Sequence, residues 1–127
     1  MTAPVSEGDF CCAAPGCGEW WGNYTDYNDG PVLGIGLDVG TTVSAAKRAD
    51  RVLRLEARDL GESCEVSLEA LYPLAAGWAN YVLGVAAGFV ARGAQAGGLD
   101  LAISSTLPIG VGLSSSAALE CATGRAL

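Results

Sequence analysis

The stretch "PIGVGLSSSAAL", Pro108 to Leu119, sets two glycines ahead of three consecutive serines and then runs into small helix formers. Gly110 and Gly112 carry no Cβ, so the backbone there can turn sharply and approach a ligand closely. The first amides of a helix starting near Ser115 have no internal partner and lie at the positive end of the helix dipole. Anions bind such places. Ser114, Ser115 and Ser116 add hydroxyls that can donate to phosphate oxygens or, in one case, complete the shell of a magnesium ion. The same composition also suits a plain turn in which glycine bends the chain and serine caps the helix. Both readings stay open on these residues alone.

Working outward, "GGLDLAIS", Gly97 to Ser104, predicts a strand with Leu99, Leu101 and Ile103 on one face, leading straight into the glycine loop. Strand, glycine loop and helix start make a phosphate-site geometry. Further upstream, Tyr81, Val82, Val85, Ala86 and Phe89 recur at helical intervals between Trp78 and Arg92, and Gly93 offers a stop. That segment predicts a buried helix, because its apolar run "YVLGVAAGFVA" ends after about half of the ~20 residues a membrane crossing needs. "RVLRLEARDL", Arg51 to Leu60, begins like a half-exposed strand, and Val32 to Ala46 has the aliphatic and β-branched content of one or two strands interrupted at Asp38 and Gly40. "NYTDYNDGP", Asn23 to Pro31, concentrates turn formers and predicts a loop. Residues 1–13 read as an irregular segment, and 14–127 as one domain or a piece of one.

Composition bounds the function. The chain has 127 residues, half of them hydrophobic, enough for one core. Its net charge of −7, from 14 acidic and 7 basic residues without a dense basic cluster, argues against a nucleic-acid partner. The start "MTAPVSEGDF" has no basic region ahead of an apolar run, which predicts a cytoplasmic protein. The five cysteines, Cys11, Cys12, Cys17, Cys64 and Cys121, are irregularly spaced and read as reduced thiols. With no histidine and no second CxxC pair, a metal cluster at Cys11, Cys12 and Cys17 is disfavoured.

"PIGVGLSSSAA" also has the form P-x-x-x-G-L-S-S-S-A and resembles the phosphate loop of the GHMP kinases. The triple serine followed by "AALE" is most similar to the galactokinase branch. Two further stretches agree in order: "TDYNDG", Thr25 to Gly30, resembles its sugar-binding signature, and "WANYVLGV", Trp78 to Val85, its nucleotide-side helix. The resemblance runs from about Ala14 to Leu127. It implies an α+β fold, the N-terminal domain of such a kinase in incomplete form, and transfer of phosphate from ATP to the anomeric hydroxyl of galactose with Mg2+. It further implies that Gly110, Val111, Gly112, Leu113, Ser114, Ser115 and Ser116 wrap the triphosphate, with Ser116 the magnesium ligand. Asn23, Tyr24, Thr25 and Asp26 would meet the sugar, Asp26 accepting from its hydroxyls, and Trp78 and Tyr81 would line the adenine pocket or simply belong to the core.

The departures are as informative. The family pattern A-P-G-R-V-N-L-I-G-E-H-T-D-Y-N reads here "APGCGEWWGNYTDYN", Ala14 to Asn28. Cys17 stands where the family's phosphoryl-stabilising arginine would be, Asn23 and Tyr24 replace glutamate and histidine, and Trp20 and Trp21 replace aliphatic residues of the first strand. A thiol supplies no fixed charge and no guanidinium fork, so no catalytic residue is assigned. The family's catalytic aspartate and second domain are expected beyond Leu127, and little turnover is expected of the chain as written. The alternatives are a non-catalytic sugar- and ATP-binding module and an actin-like sugar kinase, whose D-x-G-T-T phosphate hairpin resembles "GIGLDVGTT", Gly34 to Thr42, with Asp38 then in a functional role. Sugar selectivity and oligomeric state are left open.

Overall fold

A computed structural model describes residues 10–22, 24–94 and 97–127. The elements run β1 (Phe10–Trp21), a 3-10 turn (Asp26–Asn28), β2 (Leu33–Lys47), β3 (Val52–Ala57), β4 (Glu62–Ser67), α1 (Gly77–Ala91), β5 (Leu99–Ser105) and α2 (Ser115–Ala126). The strands form one sheet in the order β1-β2-β5-β3-β4. Only β3 and β5 pair in parallel, Leu53 opposite Leu99; the other neighbours are antiparallel. The architecture is α+β, both helices contributing to one core with the sheet.

Period-two burial explains the sheet. In β3 Leu53, Leu55 and Ala57 turn inward and Val52, Arg54 and Glu56 outward; in β5 Leu99, Leu101 and Ile103 face the same core. Leu53, Leu55, Leu101, Val43 and Val82 are among the largest fully buried side chains, and each such burial contributes about 1.5–3 kcal/mol. The outward face is polar. There the Arg48 guanidinium grips Asp50 and, at 2.7 Å, Asp100, which holds the Asp50 carboxyl below its usual range and pushes Arg48 up. On β4, burial pushes the Cys64 thiol up, with Glu62 adding to the shift.

Several sequence expectations need correction. β1 starts at Phe10, so residues 10–13 of the segment read as irregular are strand, paired with β2 from Phe10↔Ala45 onward. Of the one or two strands expected over Val32–Ala46 the structure has one, β2, unbroken from Leu33 to Lys47; Asp38 to Thr42 lie within it, so no hairpin of the D-x-G-T-T kind forms there. β4 is an edge strand that no apolar pattern announced, since only Val66 among its six residues is buried. The helix predicted as buried is covered on one side only. Its inward stripe is Ala79, Val82, Leu83 and Ala86, whereas Tyr81 and Phe89 are exposed. Gly93 does end it, at φ +83°.

Candidate phosphate and nucleotide site

The glycine loop joins the central strand β5 to α2 and lies at the surface, with Ile109 74% exposed. Gly110 and Gly112 both adopt φ +79°, a left-handed conformation that side chains resist. Ser114, which precedes α2, takes the same region at φ 59° without a glycine's freedom. A non-glycine residue held there costs about 1–3 kcal/mol, and such strain concentrates at ligand clamps. The first helical bond runs from the Ala118 amide to the Ser114 carbonyl at 2.9 Å. Among the described residues, no backbone carbonyl accepts from the amides of Gly110 to Ala117. Those donors sit at the positive end of a 12-residue helix.

The loop is anchored from beneath by β1. The register of β1 against β2 slips between Pro15 and Cys17, and Gly16 sits at that irregularity. A Cβ on Gly16 would come 2.4 Å from Leu107 Cδ2 and 2.9 Å from the Leu113 carbonyl oxygen. Glycine is therefore required by close approach of the loop. Next to it, the Cys17 amide donates to the Leu113 carbonyl at 3.3 Å and the Cys17 thiol to Ser114 Oγ at 3.1 Å. Gly40 answers the same need on β2, where a Cβ would lie 2.4 Å from the Ala14 carbonyl oxygen. Its amide donates to Thr106 Oγ1 at 3.0 Å, tying the end of β5 to β2.

Beside the loop opens a cavity of about 390 Å³. Ser115, Ser116 and Gly110 form its loop side, and Trp78, Tyr81, Leu60, Ile109 and Leu119 supply apolar walls. Among the described residues no Lys or Arg lines it; its charged residue there is Asp59, whose Oδ2 accepts from the Ser105 amide at 2.5 Å. Trp78 is held by its indole N–H, which donates to Glu62 Oε2 at 2.6 Å. The start of α1 is fixed by Asn80, whose amide group exchanges hydrogen bonds with both backbone groups of Leu74, at 2.7 and 2.9 Å.

The sugar-signature residues lie elsewhere. Tyr24, Thr25 and Asp26 belong to the exposed turn linking β1 to β2, and Asn23 falls outside the described residues. Thr25 Oγ1 closes the turn by donating to the carbonyls of Gly22 at 3.0 Å and Pro31 at 2.7 Å. Asp26 Oδ1 accepts from the Tyr27 amide at 2.7 Å, which leaves its other oxygen toward solvent. From Cys17, at the loop, to Gly22 is five residues of extended chain, roughly 16 Å. The geometry thus brings Cys17, Ser114–Ser116, Trp78 and Tyr81 to one place and Tyr24–Asp26 to another. Sequence reasoning missed Asp59 and Glu62, because a lone carboxylate after a strand and one on a polar edge carry no motif.

Comparison with known proteins identifies the family to which this fold belongs. The galactokinase galactose-binding signature matches residues 4–47, and the GHMP kinases N terminal domain matches residues 80–127. Galactokinase from Lactococcus lactis, solved as a complex with galactose, is 32% identical, with a TM-score of 0.85 over 93% of this chain and 31% of that one. The chain therefore spans under a third of that protein's length. Mevalonate kinase from Methanococcus jannaschii (20% identity, TM-score 0.81, 95% of this chain and 40% of that one) shares the fold. So does phosphomevalonate kinase from Streptococcus pneumoniae (19%, TM-score 0.66, 92% and 35%). The chain belongs to the GHMP kinase family, and within it corresponds to the N-terminal portion of a galactokinase.

Proposed function

We propose that this chain is the nucleotide- and sugar-facing part of an ATP-dependent galactokinase, which transfers a phosphoryl group to the anomeric hydroxyl of galactose. The observation that carries the reading is the row of amides from Gly110 to Ala117, which find no backbone acceptor among the described residues, opening beside an apolar cavity walled by Trp78 and Tyr81. Phosphate oxygens would accept from these amides and from the hydroxyls of Ser114 and Ser115, while a flat base enters the cavity. Ser116, at the cavity's loop side, would give Mg2+ one oxygen. No group of three His, Cys, Asp or Glu side chains suited to a metal occurs among the described residues. A hydroxyl alone suits magnesium held mostly by water and phosphates, where the ion neutralises polyphosphate charge. Asp26, with an oxygen to spare, would accept from a galactose hydroxyl, flanked by Tyr24, Thr25 and Asn23.

Cys17 favours a second reading, a module that binds sugar and ATP without turning them over. Its thiol touches Ser114, so the position abuts the phosphate loop, yet it contributes no charge there. Losing a cation that stabilises phosphoryl transfer costs on the order of 10² to 10⁵ in rate. Calorimetric titration separates the cases. Mg·ATP is expected to bind this chain, and Cys17→Arg to bind it several-fold more tightly at low salt, with the gain fading as salt rises. Absence of heat with Mg·ATP at millimolar concentration overturns the nucleotide site. Sugar 1-phosphate formed by the chain with Cys17 in place overturns the binding-module reading.

A further inference from the structure

Asp59 sits where a carboxylate is costly for a polyphosphate site: it borders the cavity beside the loop, and among the described residues no other charged side chain lines that cavity. It follows β3 directly, in the turn Arg58–Gly61, and it is tied to the end of β5 by a single bond from the Ser105 amide to Oδ2. Ser105 in turn shares its hydroxyl with Thr41 at 2.9 Å and receives the Leu107 amide at 3.2 Å, so the chain segment that presents Asp59 is braced to the stem of the glycine loop. Among the described residues, none donates to Oδ1. An ionised carboxylate offers acceptors only. One oxygen is already committed, so the remaining one suits a single donor better than the paired donors of a guanine edge. Within the same lining, Trp78, Tyr81, Leu60, Ile109 and Leu119 offer apolar contact to a ring.

We infer that Asp59 is the specificity-determining residue for the base, accepting a hydrogen bond from an exocyclic amine and so selecting 6-amino over 6-oxo purine nucleotides. A 6-oxo group lacks that donor and would set a carbonyl oxygen against the carboxylate, so such a base could answer Oδ1 only by shifting to present its N1–H. This inference rests on the nucleotide reading proposed above. It assigns to the base a contact that the loop, which sees only phosphates, cannot supply.

The test is titration of the whole chain with the magnesium complexes of ATP and ITP, before and after Asp59→Asn. The asparagine keeps an oxygen for the Ser105 amide and turns an NH2 group toward the cavity. Removing a negative charge strengthens binding of any polyphosphate, so the ATP:ITP ratio, not either affinity, is the readout. The native chain is expected to prefer ATP by on the order of tenfold, the size of one hydrogen bond to a charged group. In the variant that preference should vanish or reverse. An unchanged ratio, with ATP still bound and the melting transition intact, overturns the role of Asp59 alone. Failure of the native chain to bind either nucleotide overturns the nucleotide reading and this inference with it. Should Asp59→Asn fail to fold, Asp59→Ser, which also leaves an acceptor, gives the same ratio test with loss of discrimination as the supporting result.

Discussion

Two regions grow from the same strand and differ in how they hold their chemistry. At its middle β1 buries Ala14 and Gly16 under the glycine loop, where backbone atoms do the positioning and side chains are excluded. At its end Trp20 and Trp21 are 75% and 80% exposed, and the following turn presents Tyr24 and Tyr27 to solvent. The loop region is a site made of amides, so it tolerates no added Cβ at Gly16 but is indifferent to much of its side-chain chemistry. The turn region is a site made of side chains on an internally bonded scaffold, so replacements accumulate there without disturbing the core. This accounts for why the departures from the family pattern, at residues 17–24, lie from the loop's edge outward to the turn.

Substitutions can break that contrast. The largest effect belongs to Gly16→Val, which drives a branched side chain into Leu107 and the Leu113 carbonyl. Overpacking of this kind costs about 1–3 kcal/mol or more, and chemical denaturation should show it together with loss of Mg·ATP binding. If stability falls and nucleotide affinity does not, the loop is not braced by β1. A smaller change of opposite sign is expected of Thr123→Val on α2. The buried Thr123 hydroxyl has no partner among the described residues, and replacing it by a methyl group should stabilise by about 1 kcal/mol in the same assay. A loss instead would mean that the hydroxyl is satisfied in solution. The smallest effect is reserved for the tip: Trp20→Ser with Trp21→Ser should shift stability by less than about 0.5 kcal/mol for each residue. A loss above about 2 kcal/mol would show that the tip is not independent of the core.

How much was legible in the sequence follows from the same distinction. β3, β5, α1 and the loop announced themselves because burial imposes a period, and glycine is demanded where φ turns positive at Gly110 and Gly112. β4 was silent because an edge strand of Glu, Ser and Cys has one buried position and hence no alternation. The first residues of β1 were silent for a related reason: Cys11, Cys12 and Ala13 have little strand preference, and pairing with β2 decides their conformation. Tyr81 and Phe89 misled, since an apolar residue at a helical interval says nothing about which side is covered. The loop could be read from residue types alone. Asp59 could not, because its place at the cavity depends on β3 and β5 lying side by side.

That adjacency also sets a sequence of events. β5 enters between β2 and β3, both of which precede it in the chain, and completes the sheet by pairing with the two at once. During synthesis the turn bearing Asp26 can therefore close within its own hairpin, long before the ribosome has released the segment that would hold a triphosphate. Until that late strand arrives, the two halves of the sheet remain unjoined, and closing them must await contacts between distant parts of the polypeptide.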